Sequence, residues 1–256
     1  MHINLADKRA VVAGGAGAIG LAVARLLSQA GAKVWVFDVK LDALAECPQL
    51  HGVQVDLASV KSTADALSHV ANDGGVDIVV HAAGVHPIKP LTALTEDDWD
   101  TVQAVNMKSA FFLGRDAIGH MTDRGGTIVL ISSCSAKLAY AGLTPYVASK
   151  AGLEGVVRGL ACDGAPHGVR VNGVAPGTTH TPMTRHLWAD PRRDAGHRAT
   201  IPLNRLAQVD DVANACLFLA SNMASYITGA ILPVDGGMTV TQTDFIDLSM
   251  RENNAQ

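Results

Sequence analysis

The sequence predicts an α/β fold in which about seven parallel strands form one doubly wound sheet with helices on both faces. Short and uniformly apolar runs recur along the chain, which is typical of strands buried on both faces. Longer amphipathic segments separate these runs, and this alternation predicts β–α–β units with right-handed crossovers. No Pro/Gly/Ser-rich linker, charge block or internal repeat divides the 256 residues. We therefore expect residues 1–256 to form a single domain.

Seven apolar runs are the strand candidates. In chain order they span residues 10–13, 33–38, 52–55, 77–80, 127–131, 169–174 and 230–234. A helical pattern over about 18–30 follows the first run, and another helix is expected to begin near Ser59. Because parallel strands present their carboxyl ends at one edge of the sheet, the residues after these runs should line a single crevice. Those residues are Gly14, Asp38, Asp56, Gly84, Ser133 and Gly177.

The composition argues against several classes of protein. The formal net charge of −4 shows no basic excess, so nucleic-acid binding is not expected. The 4 cysteines show no CxxC pair, and none of the 10 histidines lies in an HExxH pattern, so no metal site is expected. The amino terminus lacks the features of a secretion signal, and no apolar stretch reaches the roughly 20 residues that span a bilayer. We therefore expect a soluble, cytoplasmic protein without a membrane partner.

A glycine-rich turn joins the first strand to the first helix. Gly15, Gly17 and Gly20 form a GxGxxG sequence at this junction. Glycines permit a tight turn and let backbone N–H groups approach a pyrophosphate, while the following helix presents its positive end. Such turns also serve as simple structural punctuation. The position between a strand and a helix near the amino terminus favours a dinucleotide site.

Asp38 ends the second strand, where its carboxylate can accept hydrogen bonds from an adenosine ribose. It would repel a 2′-phosphate by about 4 kcal/mol at about 4 Å and an effective dielectric near 20. NAD is therefore predicted over NADP, and Lys33 and Lys40 could soften this preference if they fold inward. The alternative is that Asp38 caps a helix.

Further residues extend the predicted crevice. Asp56 could reach an adenine, or it could cap the helix that begins near Ser59. Ala82, Ala83 and Gly84 follow the fourth run, and their small size would let backbone lie close to a cofactor.

Tyr146 and Lys150 lie four residues apart, with Ser133 upstream. On a helix this spacing places the phenol and the ammonium on one face. A free tyrosine has a pKa of about 10, and lowering it to about 7 requires roughly 4 kcal/mol of preferential stabilisation of the phenolate. A nearby fixed cation has the right sign to do this. The group therefore suggests a proton-transfer site, although such pairs also occur on ordinary solvated helices.

Taken together, these features resemble the short-chain dehydrogenase/reductase family in its single-domain form, over residues 5 to about 238. The family's glycine motif matches at Gly14 and Gly20, with Ala18 at its central glycine position. Its Asn-Asn-Ala-Gly motif appears as His81-Ala82-Ala83-Gly84. The later matches are Pro176-Gly177, Thr181, Ser225-Tyr226-Ile227-Thr228-Gly229 and Val234-Asp235-Gly236-Gly237. The resemblance implies a Rossmann-type sheet.

The resemblance also implies a catalytic group. Its members are Asn106, Ser133, Tyr146 and Lys150. Tyr146 would be the general acid/base for an alcohol and its ketone, and Lys150 would lower the phenol's pKa and hold the nicotinamide ribose. Ser133 would donate a hydrogen bond to the substrate oxygen. Asn106 would support a water chain to Lys150, and its alternative role is a helix-kink amide that satisfies backbone groups.

The cofactor-binding residues follow from the motifs and the resemblance together. They are Gly14, Gly17, Ala18, Ile19, Gly20, Asp38, Asp56, Leu57, Ala82, Ala83, Gly84, Asn106, Tyr146, Lys150, Pro176, Gly177, Thr179 and Thr181.

The segments that follow strand ends should face the substrate. They are about 85–96, 134–144 and 178–204, the last acting as a lid. The candidate substrate residues are His86, Ser133, Ser135, Tyr146, His180 and Arg185. Arginines in the lid could bind a carboxylate or phosphate, which suggests a sugar acid, hydroxy acid or other small polyol. A lid that is merely charged on its surface is the alternative, and apolar residues such as Ile88 also allow a hydrophobic cyclic alcohol.

We therefore expect an NAD-dependent enzyme that interconverts a secondary alcohol and a ketone, acting on CH–OH groups. The alternatives are an NADPH-dependent carbonyl reductase of the 3-oxoacyl type and a non-catalytic, NAD-sensing binding protein. The resemblance implies a homotetramer with helices 102–122 and 146–164 at one interface. The tail at about 238–256 could dock on a neighbouring subunit through Phe245, Ile246 and Leu248, or fray.

Overall fold

Seven parallel strands form one sheet in the computed structural model, which describes residues 3–240. The strands are β1 (Arg9–Ala13), β2 (Lys33–Asp38), β3 (Leu50–Gln54), β4 (Ile78–His81), β5 (Gly126–Ile131), β6 (Val169–Pro176) and β7 (Ile231–Val234). Their order across the sheet is β3-β2-β1-β4-β5-β6-β7, and every neighbouring pair is parallel. The predicted doubly wound α/β fold is confirmed. The predicted docking residues Phe245, Ile246 and Leu248 lie outside the described residues.

Eight α-helices connect or cover the strands within residues 3–240. They are α1 (Ala18–Gln29), α2 (Val60–Asn72), α3 (Glu96–Gln103), α4 (Ser109–Met121), α5 (Thr144–Gly164), α6 (Arg185–Trp188), α7 (Pro191–Ala199) and α8 (Val209–Ala220). None of the described helices is long and apolar enough to cross a membrane.

The strands are buried on both faces, and each face has its own apolar cluster. In β1, Val11 packs into one cluster and its neighbour Val12 into the other, because successive side chains of a strand point to opposite faces. The first cluster includes Leu113 of α4 and Leu153 of α5. The second includes Leu27 of α1 and residues of α8. Helices therefore cover both faces of the sheet.

The helix expected over 102–122 has a different form. A wide π-helical turn at Ala104–Lys108 separates α3 from α4, so the chain is wound more loosely in the middle of the expected helix. Most of the expected helix is present as α4, and the π-helical turn forms its first part. A wider turn shifts the direction of its side chains, and such turns are frequent at functional sites.

The strand order places the switch point between β1 and β4. From β1 the chain proceeds to β2 and β3 on one side, and then returns to β4 on the other side. Crossovers leave in opposite directions from this point, which opens a crevice at the carboxyl ends of β1 and β4. The glycine turn follows β1 there, and Ala82 and Ala83 follow β4.

Candidate active site

Two adjoining cavities open at the carboxyl edge of the sheet. One, of about 660 Å³, surrounds the switch point, and we call it the switch-point cleft. The other, of about 440 Å³, lies beside Tyr146, and we call it the Tyr146 cavity. The two share Ile19, Ala82, Gly84, Thr181 and Met183 in their walls, so they are continuous.

The cavities bring together most of the residues that the sequence indicated. Predicted residues in the wall of the switch-point cleft are Gly14, Gly17, Ala18, Ile19, Gly20, Asp38, Asp56, Leu57, Ala82, Ala83, Gly84 and Thr181. Predicted residues in the wall of the Tyr146 cavity are His86, Ser133, Ser135, Tyr146, Lys150, Pro176, Gly177 and Thr179. Strand ends separated by more than 160 positions in sequence thus meet at one site, as the parallel topology requires.

The positions in the first turn are glycine for different structural reasons. Gly14 has a φ of +73°, and a Cβ there would lie 2.5 Å from the backbone N of Ala83. A Cβ on Gly20 would collide with the carbonyl oxygen of Gly14. Both positions therefore need glycine for the chain's own packing, whether or not a ligand binds.

Gly17 is the exception in this turn. It is exposed, its φ is −73°, and a Cβ there would have only the carbonyl oxygen of Gly14 nearby, at 3.4 Å. It is the N-cap of α1, and no side chain caps this helix. An uncapped helix amino terminus that opens into a cleft presents free N–H groups to an anion. The space beside Gly17 is therefore open to an anionic ligand.

Asp38 faces the switch-point cleft from the end of β2. Its Oδ2 accepts a hydrogen bond from the backbone N of Ala16 at 3.0 Å, which ties β2 to the glycine turn. The next helical turn begins at Asp42 and follows Leu41, so Asp38 does not cap it. Lys33 lies at the start of β2 and pairs with Asp73 at 3.3 Å, whereas Lys40 lines the cleft. Lys40 is therefore the lysine that could offset the charge of Asp38.

Asp56 also lines the cleft and does not supply the helix cap. Ser59 is the N-cap of α2, and its hydroxyl accepts a hydrogen bond from the backbone N of Ser62. The Oδ1 atom of Asp56 accepts from the backbone N of Ala58 at 3.0 Å, which closes a tight turn before the helix. The carboxylate is thus held at the rim of the cleft.

Tyr146 and Lys150 lie one turn apart near the start of α5, as their spacing predicted. The Lys150 Nζ atom lies 5.7 Å from the centroid of the Tyr146 ring and donates a hydrogen bond to the carbonyl oxygen of Ile131 at 2.8 Å. Ile131 ends β5, so this bond joins the helix to the strand end that carries Ser133. The chance alternative of a solvated helix face does not apply, because Lys150 is buried.

Burial shifts the pKa values of both Tyr146 and Lys150. It raises the pKa of Tyr146 to about 12, while a hydrogen bond with the Ser133 hydroxyl acts in the opposite direction. Burial also lowers the pKa of Lys150 to about 8. Both shifts follow from desolvation, which disfavours the charged form of each group.

Asn106 lies behind the Tyr146 cavity rather than in its wall. It is fully buried in the π-helical turn, where Nδ2 donates to the carbonyl oxygen of Val85 and to the hydroxyl of Ser149, each at 3.0 Å. Its Oδ1 accepts from the backbone N of Val85 at 2.8 Å. The amide therefore ties the loop after β4 to α5. This is the second role considered for Asn106 in the sequence, an amide that forms hydrogen bonds with backbone groups.

The candidate substrate residues divide into two groups. His86 and Ser135 line the Tyr146 cavity, and the His86 ring meets the Tyr146 ring edge-on with centroids 5.3 Å apart. His180 and Arg185 are exposed and are not among the described residues that line the cavity. His180 instead stacks on Trp188 with ring centroids 3.8 Å apart. The substrate role expected for His180 and Arg185 is therefore not supported by their positions.

The cavity contains further polar side chains that sequence reasoning did not assign to it. They include Tyr140, Thr178, His186 and His197. The Thr178 hydroxyl and the His197 Nε2 atom are 2.5 Å apart, which joins the loop after β6 to α7. No short spacing connects these residues in sequence. Their only signal is that they lie in segments expected to face the substrate.

His81 is a buried histidine at the end of β4. Its Nε2 lies 2.6 Å from the Ser109 hydroxyl, which itself donates to the carbonyl oxygen of Val105 at 2.7 Å. Ser109 therefore accepts from His81, which places the ring proton on Nε2. The Nδ1 atom has no partner among the described residues. Burial, aided by the charge of Lys150, lowers the pKa of His81 to about 3.

Within residues 3–240, no group of three or more His, Cys, Asp or Glu side chains is arranged to hold a metal ion. All four cysteines are free thiols.

Comparison with known proteins places the chain among oxidoreductases. A family model described as enoyl-(acyl carrier protein) reductase matches residues 14–239. Gluconate 5-dehydrogenase of Gluconobacter oxydans (strain 621H) is 33% identical over 248 residues, covering 93% of this chain and 97% of the relative. L-xylulose reductase of Mus musculus is 36% identical over 247 residues, covering 94% of this chain and all of the relative.

A solved structure with a similar fold is that of a gluconate 5-dehydrogenase from Burkholderia cenocepacia J2315 in complex with NADP and tartrate. It superposes with a TM-score of 0.88 at 31% identity, covering 93% of this chain and 98% of that chain.

Proposed function

Since the chain belongs to the short-chain dehydrogenase/reductase family of oxidoreductases acting on CH–OH groups, we propose that it interconverts a secondary alcohol and a ketone with NAD. The observation that carries this proposal is the meeting of Tyr146, Ser133 and Lys150 in one cavity. That cavity opens into the cleft that holds Gly17 and Asp38. A proton-transfer group therefore lies beside a space suited to a dinucleotide.

The cofactor would bind in the switch-point cleft. Gly17 and the start of α1 would hold the pyrophosphate, and Asp38 would accept hydrogen bonds from the adenosine ribose. Thr179 and Thr181, near the junction of the two cavities, would hold the nicotinamide end. A bound NAD would supply the hydride acceptor, a chemistry that no side chain provides.

NAD is proposed over NADP because of Asp38. Its carboxylate would repel a 2′-phosphate by about 4 kcal/mol at a separation of about 4 Å and an effective dielectric near 20. Lys40 also lines the cleft and would reduce this penalty. The Burkholderia relative is bound to NADP, which favours an NADPH-dependent carbonyl reductase as the second candidate. Comparing the two cofactors separates these candidates.

Tyr146 would move the proton at the substrate oxygen. In oxidation the phenolate accepts it, and in reduction the phenol donates it. The pKa of Tyr146 is about 12 in the protein without ligands. Its ionisation near pH 7 therefore needs about 7 kcal/mol of added phenolate stabilisation. Lys150 and the hydrogen bond from Ser133 contribute in the required direction, and Ser133 would also donate to the substrate oxygen as charge develops there.

The substrate would be a small molecule that fits the 440 Å³ Tyr146 cavity. The relatives named for gluconate and L-xylulose support a sugar acid or small polyol. Ile88, Leu143, Met183 and Leu187 supply an apolar part of the wall, which supports a hydrophobic cyclic alcohol as an alternative. A non-catalytic sensor is disfavoured because Asn106, Ser133, Tyr146 and Lys150 are all present.

We also propose a cytoplasmic homotetramer. The resemblance implies a subunit interface at α4 and α5, and the exposure of Phe111 in α4 supports this. A Cβ on Gly155 or Gly159 of α5 would meet no described atom within 4 Å, which leaves room for a neighbouring helix. Four free thiols fit a reducing compartment.

Tyr146→Phe tests the proposed function. We expect turnover of a panel of polyols, sugar acids, 3-hydroxy acids and cyclic alcohols to fall by roughly 10²–10⁴-fold, because the variant lacks the proton-transfer group. NAD binding, measured by calorimetry, should persist. The matched control is Tyr226→Phe, the same change at a fully exposed tyrosine, which should leave kcat unaltered. Substantial residual activity in Tyr146→Phe would overturn the mechanism.

A further inference from the structure

The Tyr146 cavity contains three histidines but little charge. His86, His186 and His197 line it, whereas no described lining residue is an arginine, aspartate or glutamate. The one lysine in the wall is Lys150, whose ammonium donates to the carbonyl oxygen of Ile131 at the reacting end of the cavity. The part of the cavity away from the reacting end therefore has no permanently charged side chain among the described residues.

The arginines that the sequence suggested for an anionic substrate lie elsewhere. Arg185, Arg192 and Arg193 are exposed, and none of them lines the cavity. Arg198 pairs with Asp194 one turn earlier in α7, with its Nε atom 2.9 Å from the carboxylate. The lid is thus charged on its outer surface, which was the alternative left open by the sequence.

For two of the three histidines in the wall, His86 and His197, the neutral form is favoured. Burial lowers the pKa of His86, and a positive charge on His186 acts in the same direction. Burial also lowers the pKa of His197, where His186 again lowers it and Asp194 opposes the shift. Like charges on neighbouring imidazoles disfavour each other. Protonated forms of His86 and His197 therefore do not replace the missing arginine.

The polar atoms that remain in the wall suit hydroxyl groups. The Nδ1 atom of His86 is buried without a partner among the described residues, although its ring packs against Tyr146. A hydroxyl can either donate to this atom or accept from it, so it satisfies both tautomers of the neutral ring. A carboxylate can only accept, and it would lose its hydration without gaining a cation.

We propose that the substrate is an uncharged polyhydroxy alcohol or its ketone, and that the histidine-lined wall discriminates against a carboxylate of the same shape. This inference rests on the proposed function of the site, and it selects the polyol from the substrate classes that the proposed function allows.

The experiment compares substrates that differ in charge alone. Aldonic acids of several chain lengths are each tested against their primary amides, with NADH formation at pH 8 as the readout. We expect kcat/KM for the amide to exceed that for the acid by at least about tenfold in wild type. An acid that is used as well as its amide, or better, would overturn the proposal.

Adding a cation to the wall should offset this preference. His186→Arg places a guanidinium in the cavity lining, and we expect the acid-to-amide ratio of kcat/KM to rise by at least about tenfold. The control is Ala195→Arg, which adds the same charge at an exposed position of α7 outside the lining, and which should leave the ratio as in wild type. A ratio that rises equally in both variants would show that general surface charge, not the cavity wall, controls selectivity.

Calorimetry separates this inference from the proposed function. If no substrate is oxidised with NAD or NADP, the proposed function fails, yet binding of each acid and amide to the enzyme still reports the charge preference. Tighter binding of the amide would retain the inference about the cavity. Equal binding of the two, or tighter binding of the acid, would reject it.

Discussion

The spacing of Tyr146 and Lys150 predicts that they share a helix face, but it does not predict their surroundings. Four positions in a helix place the two side chains on one face, and this holds in any helix. The hydrogen bond from Lys150 to Ile131 is a tertiary contact, and it directs the ammonium to the strand end that carries Ser133. Burial then governs both pKa values, in directions that an exposed pair would not show.

Asp38→Asn tests the cofactor preference at the residue scale. The amide oxygen can still accept the hydrogen bond from Ala16 N, so the turn should be retained, while the charge is removed. Since that charge would oppose a 2′-phosphate by about 4 kcal/mol, we expect the NADP-to-NAD ratio of kcat/KM to rise at least tenfold. Steady-state kinetics with both cofactors measure it. Asp97→Asn, the same change on the exposed surface of α3, is the control. An unaltered ratio in Asp38→Asn would contradict the assigned role.

At the scale of elements, the start of α1 and the π-helical turn shape the site in different ways. The start of α1 opens its amino terminus into the cleft, because Gly14 and Gly20 allow the chain to fold back tightly on itself. The π-helical turn at Ala104–Lys108 holds Asn106 between the loop after β4 and α5. One element leaves space for a ligand, and the other holds the wall of the cavity in place.

Two glycine variants of the first turn should behave differently. Gly17→Val places a branched side chain in open space at the N-cap, so the protein should fold with a melting temperature within a few degrees of wild type. Its affinity for NAD should fall at least tenfold, because the side chain occupies the space beside the helix amino terminus. Gly20→Ala should instead lower the melting temperature markedly, since its Cβ meets the carbonyl oxygen of Gly14. Thermal melts with and without NAD distinguish the two effects. Unchanged NAD affinity in Gly17→Val would contradict the proposed pyrophosphate site.

At the scale of the whole molecule, the sheet order assembles the site. β1 and β4 are adjacent, and the chain leaves them in opposite directions, so the switch-point cleft lies between the glycine turn and Ala83. β5 and β6 continue the same edge and bring Ser133 and Gly177 to the Tyr146 cavity. Apolar clusters on both faces hold this sheet together, which makes the site dependent on the global fold.

His81 links global stability to pH. Its pKa of about 3 in the folded chain is below the value of 6.5 for a free histidine, so the unfolded chain takes up a proton that the folded chain excludes. Its contribution to stability is therefore complete above pH 6.5 and is lost as the pH falls towards 3. Between pH 8 and pH 4 this amounts to about 3 kcal/mol.

Urea denaturation of His81→Asn measures this contribution. We expect the free energy of unfolding of wild type to fall by about 3 kcal/mol more than that of the variant between pH 8 and pH 4. His167→Asn, the same change at an exposed histidine, should follow the wild-type pH dependence. Parallel curves for wild type and His81→Asn would show that His81 is not the source of the acid sensitivity.

Local patterns in the sequence determined the elements and the reacting groups of this protein. Apolar runs identified all seven strands to within one or two residues at most ends, because burial on both faces requires continuous apolar side chains. The glycine turn, Asp38, Ser133, Tyr146 and Lys150 could be identified because their chemistry depends on residue type and short spacing. The convergence of strand ends at one edge also follows from a parallel sheet.

Only the tertiary structure decided which side chains face the cavities. It placed the lid arginines outside the Tyr146 cavity and His86, His186 and His197 in its wall, because side-chain direction in α6, α7 and their loops depends on packing and not on local pattern. It also showed that a π-helical turn around Asn106 interrupts the helix expected over 102–122. The charge of a cavity depends on which side chains line it, and the sequence does not show this. The proposal of an uncharged rather than an acidic substrate therefore depends on the folded structure.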